Sequence, residues 1–240
     1  MLLVFFLIDR YQGRIFGEQF ATAITRLHTS YFGYVSLGLA VSALASVGLG
    51  GVLGQMQSER STRALEYIMA SPVSIRRWAA ITGIANLLNA FLQFLIIFLV
   101  AVVIMRLRMP RFDFSAALLM LTIASVPLWC LSLLTLSTSI VFRRGDPFGF
   151  LLGAAFELLG GVYVPPEVLP RWCGKVSEFL PITPAIRAMQ NIVYHGAGLG
   201  DVAPDLHQLL GLTLLYLPLS MLLIGLADRT ARKKGYYCLS

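Results

Sequence analysis

Acids, histidines, cysteines and Gly-Lys pairs are the residues through which a chain most often does chemistry, and here they do not converge. His28, His195 and His207 lie too far apart for metal-ligand spacing, and there is no HExxH run. No GxSxG elbow is present. Cys130, Cys173 and Cys238 form no CxxC pair, so no disulfide framework follows. Gly174 precedes Lys175, but Val176 comes next and Leu169 stands where a phosphate loop has its first glycine. The chain therefore carries no catalytic or metal site and binds no cofactor or nucleotide of its own in this reading.

The polar residues that remain are set in apolar surroundings. Asn86, Asn89 and Gln93 recur at i, i+3 and i+7, and so share one face of a helix; Ser132, Thr135 and Ser139 do the same further on. Two readings stand for each row: hydrogen bonds between helices, or a polar lining for a substrate. Glu157 is a single acid inside an apolar segment. A carboxylate at mid-depth in a membrane is costly unless neutralised, paired or facing a cavity. A hydrogen bond at a dimer interface and a contact with substrate both fit it.

The segments that hold these residues set the class of protein. Of 240 residues, 57% are apolar and 13% charged, with a net charge of +7 and a mean hydropathy of +0.76. Soluble domains carry about 25% charged residues. Five apolar segments, 31–54, 79–105, 114–142, 147–164 and 206–227, cover half the chain, yet only Glu157 among the 31 Asp, Glu, Lys and Arg side chains lies in them. Each reaches or approaches the ~20 residues a helix needs to cross a bilayer. Inside lipid only helices can pair all their own backbone groups. The expectation is an all-α, polytopic transmembrane helix bundle forming one domain over 1–240, in contact with membrane lipids and not with nucleic acid. Residues 1–8 (MLLVFFLI) are apolar but too short to cross, and are read as the end of a truncated first span rather than a signal peptide. A short interfacial segment is the other reading.

Counting that remnant, there are six spans. Arg60, Arg63, Arg76, Arg77, Arg143, Arg144, Arg229, Arg232, Lys233 and Lys234 fall on one side, in the shorter connections. Basic residues in short loops favour the cytoplasmic side. The tail and segment 55–78 are thus expected in the cytoplasm, although Arg106, Arg108 and Arg111 run against the rule.

Two segments are not spans. In 55–78, Ser58 is expected to cap a short amphipathic helix bearing Leu65, Ile68 and Met69 on one face. Pro72 stops it, and Ser71 caps a second helix that runs through Arg76, Arg77 and Trp78 into the next span. The first helix either lies on headgroups or docks a soluble partner. In 165–195, five prolines divide the chain into two short helical runs. One carries Val168, Trp172, Val176, Phe179 and Leu180 on a face, the other Ala185, Ile186, Met189, Ile192 and Val193. Such a pair suits an outer cap or a re-entrant lid. Glycines at 48, 50, 51, 54, 149, 153, 160 and 161 are expected to let helices pack closely.

Three stretches then bring a family into view. ERSTRALEYIMASPVS at 59–74 is similar to the coupling region of the membrane (permease) subunits of type-2 ATP-binding-cassette (ABC) transporters, with Glu59, Leu65, Glu66, Ser71 and Pro72 on matching positions. Arg63 and Ala64 replace that family's Gly-Thr. FRRGDP at 142–147 resembles the link before the fifth span. GGVYVPPEVLPRW with LPITPAIRAM resembles the outer re-entrant hairpin. The resemblance implies a six-span permease, paired as a homo- or heterodimer above two copies of an ATPase subunit that holds the ATP and Mg. It also implies a coupling helix, and export of a lipid, glycan, drug or other amphipathic molecule across a bacterial inner membrane. An integral membrane enzyme acting on lipids would need acids or histidines clustered at a membrane surface. An ion-coupled carrier would need internal repeats and more intramembrane charge.

Overall fold

The computed structural model describes residues 31–61, 75–105, 113–142 and 147–233. We label its helices α1 (Tyr31–Ser61), α2 (Ile75–Met105), α3 (Phe114–Phe142), α4 (Pro147–Leu159), α5 (Arg171–Ser177), α6 (Ile182–His195) and α7 (Ala203–Lys233), with a 3₁₀ turn at Pro166–Val168 before α5. No strand occurs among the described residues. The remnant at 1–8, the basic turn at 143–144, the cluster at 106–111 and the tail from 234 lie outside them.

Four helices, α1, α2, α3 and α7, are long and apolar enough to cross a membrane. At 29–31 residues each extends some 44–46 Å, more than the ~30 Å hydrocarbon core, so their ends project beyond it. Pro127 and Pro218 sit inside α3 and α7. Asp113 starts α3: its Oδ1 accepts from the Ser115 hydroxyl (2.6 Å) and from the backbone N–H groups of Ser115 (2.9 Å) and Ala116 (3.1 Å). The Ser115 hydroxyl first, and then the Ala116 N–H, hold this carboxyl below the usual aspartate range. The cap is therefore fully charged above that range and is lost only as pH falls through the depressed value.

The four long helices do not share burial equally. In their apolar stretches 65% of α1 and 67% of α3 are buried, against 17% of α2 and 22% of α7. α1 and α3 thus form the centre of the bundle. α2 and α7 turn Ile81, Leu88, Leu92, Leu99, Leu214 and Leu222 outward, as suits helices whose outer solvent is hydrocarbon.

The fifth expected span, 147–164, differs. α4 stops at Leu159, giving only about 20 Å of helix. The reason is local. Gly161 takes φ +86°, a left-handed conformation open to glycine and not to a helix interior. Here the chain turns in against α1. The Tyr34 hydroxyl donates to the Gly161 carbonyl at 2.6 Å, and a Cβ at Gly38 would stand 2.5 Å from the Val162 carbonyl oxygen. Apolar composition made 160–164 look like helix; the glycine pair and the Tyr34 bond make it a turn.

The outer segment 165–195 does fold as two short helices, unequal in length. α6 buries Ala185, Ile186, Met189, Ile192 and Val193 against α1 and α3, and Gly196 ends it in the left-handed conformation (φ 63°). The first run departs from expectation. Of its apolar face only Leu180 is buried, while Val168, Trp172, Val176 and Phe179 are exposed. Ser177 donates to the Leu159 carbonyl at 2.6 Å. Gln208 donates to Glu178 O at 2.8 Å and Tyr216 to Phe179 O at 2.7 Å. The turn after α5 therefore lies beside positions 208–216 of α7, roughly 8–20 Å in from the start of that helix. Exposed Trp and Phe at such a level suit the interfacial belt.

Replacing Tyr34 by Phe strands the Gly161 carbonyl, and Gly38→Val drives a side chain into Val162. Each should destabilise the purified protein, the first by about 1–3 kcal/mol. Thermal unfolding in detergent should show both midpoints lowered, with the valine variant worse.

Candidate functional site

Two places gather the polar residues of the spans, and they differ in size and setting. The first lies where α1, α2 and α3 meet. A Cβ at Gly51 would stand 2.7 Å from Asn86 Cγ, and one at Gly83 only 2.1 Å from Trp129 Nε1. Both glycines are thus cut to receive a larger side chain from the next helix. Between them is a cavity of about 20 Å³, lined by Asn86, Trp129 and Ser125 with apolar neighbours. That is the space of a single water, too little for a substrate. Asn86 Nδ2 and Trp129 Nε1 are buried there with no hydrogen-bond partner.

Asn86, Asn89 and Gln93 do not converge on one lining. Asn86 faces Gly51, Gln93 is half-buried, and Asn89 is exposed on the outer side of α2. The row on α3 is structural. Ser132 donates to Trp129 O (2.8 Å), and Thr135 to Ser132 O (2.8 Å) and across to Leu49 O on α1 (3.3 Å). Cys130 is buried and free of any disulfide.

The second place is a cleft of about 260 Å³ between α1 and α4, lined by Ser46, Leu49, Gly50, Gly149, Gly153, Phe156 and Glu157. The two helices run in opposite directions here: Ser42 meets Glu157, and Ser46 and Gly50 lie across from Gly153 and Gly149. Ser42 Oγ donates to Glu157 Oε1 at 2.8 Å and closes one end. Tyr163 interacts with the same carboxylate. Oε2 is buried without a hydrogen-bond partner. Gly50 and Gly153, expected to bring helices together, instead face open space among the described residues, where a Cβ at either would meet nothing within 4 Å. Small residues here leave room.

Ser42, Trp129 and Tyr34 were not singled out by sequence reasoning. A lone Ser in a span is commonplace, and the signal that marks Ser42 is its place one turn before Ser46 and two before Gly50, on a stripe of small residues. Gln190 was also missed. It is buried on α6 with its Nε2 unpartnered.

At the end of the bundle next to segment 62–74 the geometry is apolar and shared. Val52 and Met56 of α1, Trp78 of α2, Leu133, Leu136 and Ile140 of α3, and Ile224 and Ala227 of α7 form one buried cluster. Ser58 does not start a new helix, because α1 continues through Glu59 to Ser61. α2 begins by Ile75 and runs unbroken through Arg76, Arg77 and Trp78 into its span. Leu65, Glu66, Ser71 and Pro72 lie outside the described residues.

The spans are thus nearly free of charge in their apolar stretches, a short fourth helix ends in a glycine turn, and two short helices follow it. No curated protein matches the chain. A family model does, that of the ABC-2 family transporter protein, over residues 20–222, which takes in all seven helices but the last turns of α7. The chain is thus an integral, multi-pass transport subunit rather than an enzyme in itself, and it belongs to the ABC-2 family of transporter proteins.

Proposed function

We propose that this subunit exports an amphipathic or lipid-linked molecule, driven by ATP hydrolysis in two copies of a separate ATPase subunit that grip segment 59–72 from the cytoplasm. It works as a dimer, with a second copy or a related permease, and its tail lies on the cytoplasmic side. ATP and Mg belong to the ATPase.

The observation that carries this reading is the inner cluster. Segment 62–74 joins two helices, and both are anchored beside it in one apolar knot: α1 through Val52 and Met56, α2 through Trp78 and Ala79. The same knot includes α3 and α7. Close-packed interiors transmit displacement rather than absorb it. A displacement of the helix ends beside this segment therefore reaches all four long helices. The membrane interior supports the kind of cargo. Apart from Glu157 the spans present apolar and small uncharged residues, a setting for amphipathic molecules rather than inorganic ions.

Two outcomes test the scheme. With the cognate ATPase, Leu65→Asp or Glu66→Lys should leave the protein inserted and ATP hydrolysis present, while transport into inverted vesicles falls at least about tenfold, the effect of losing ~1.4 kcal/mol of coupling. Full transport by the Leu65 variant would refute the proposal. Trp78→Ala should lower the unfolding midpoint in detergent, a loss of about 3–5 kcal/mol as for other buried aromatic truncations. It should also reduce transport more than ATPase activity.

A further inference from the structure

We propose that the cleft between α1 and α4 is a binding site for cationic amphiphiles, with Glu157 as the group that recognises a protonated amine. The inference rests on the reading of this subunit as a permease for amphipathic cargo, and names the charge class of that cargo.

Four observations support it. Glu157 is the single acid within the five apolar segments. It lies about 15 Å along α4 from Pro147 and meets Ser42, which falls within the candidate membrane span 31–56 of α1. Ser42 donates to Oε1 at 2.8 Å and Tyr163 interacts with the carboxylate, yet Oε2 is buried with no hydrogen-bond partner. Buried polar atoms are nearly always satisfied, and an exception calls for a reason. The wall beside the carboxylate is a cleft and not a packed contact, with Gly50 and Gly153 facing open space. And among the described residues no Lys, Arg or His lines that cleft.

A ligand that brings a cation would complete the site. A permeant metal ion would want several oxygen ligands, and the cleft has one carboxylate and two serines. An ammonium group on an apolar body fits the rest. Oε2, the oxygen that Ser42 does not hold, is the acceptor offered to it. The ammonium donates to it, and Leu49 and Phe156 pack the carbon next to the charge. At about 260 Å³ the cleft takes a head and its first ring or chain segment, with the remaining tail in lipid. Ser42 acts as a positioning residue that holds Oε1.

The test is binding to the full chain in phosphatidylcholine nanodiscs, with empty nanodiscs subtracted. The probe is dansylcadaverine, a fluorescent primary amine, and its neutral control is the N-acetyl derivative. The wild type should bind the amine at least about tenfold more tightly than the amide, the worth of one charge-assisted hydrogen bond. Glu157→Gln should erase that preference and leave amide binding unchanged, whereas Glu157→Asp should retain part of it. Gly153→Leu fills the cleft yet keeps the carboxylate, and should weaken both probes. Equal binding of amine and amide by the wild type would overturn the proposal. So would an undiminished preference in Glu157→Gln, or Gly153→Leu binding both probes as the wild type does. The assay contains no ATPase, so it judges this site alone, whatever the Leu65 variants show about coupling.

Discussion

A peptide group in hydrocarbon has no water to bond, and that single fact governs this molecule. Each backbone donor and acceptor in the membrane must find its partner within the chain. The outcome is four long helices whose side chains are almost free of charge, and whose few hydroxyls bond back to their own carbonyls, as Ser132, Ser137 and Thr138 do. Where the helix is interrupted inside the apolar region, at Gly160 and Gly161, the freed carbonyl is met at once by the buried hydroxyl of Tyr34. The interruption is possible because a partner stands in place.

From that turn the rest of the outer half follows. It ends α4 early, sends the chain back toward the bundle, and lets α6 bury a full apolar face between α1 and α3 while α5 stays outside with Trp172 and Phe179 exposed. Arg187 and Asp205 (3.2 Å) then tie α6 to the first turn of α7. The inner half is organised differently, by one apolar cluster that includes the ends of every long helix. Outer cap and inner knot are joined chiefly through α1 and α3, the two buried helices.

Between these ends the interior is not uniformly packed. Glycines at 51 and 83 are filled by Asn86 and Trp129, and those at 50 and 153 are not filled at all. The same residue type thus serves contact in one place and space in another. The difference lies in the neighbour: a large side chain reaches across at the first pair, while the second lies along a short helix held to α1 at Ser42 and Glu157. An acid at the closed end of an open cleft gives that space a chemical sign.

The sequence by itself determined the helical membrane class, the approximate limits of the long spans, the family, and the isolation of Glu157. The class, the spans and the place of Glu157 follow from composition summed over twenty or more residues, where lipid imposes one solution, and the family from the resemblance of three short motifs. Tertiary structure decided which helices are central and which face lipid, since all four are apolar on every side and one segment carries no mark of its neighbours. It also decided that 160–164 is a turn, that Asn86, Asn89 and Gln93 point to different places, that α1 continues past Ser58, and which glycines are filled. Each of these depends on what another helix presents across a gap of a few ångströms, and such contacts, made between residues up to 127 positions apart in the chain as at Tyr34 and Gly161, leave no local pattern to read.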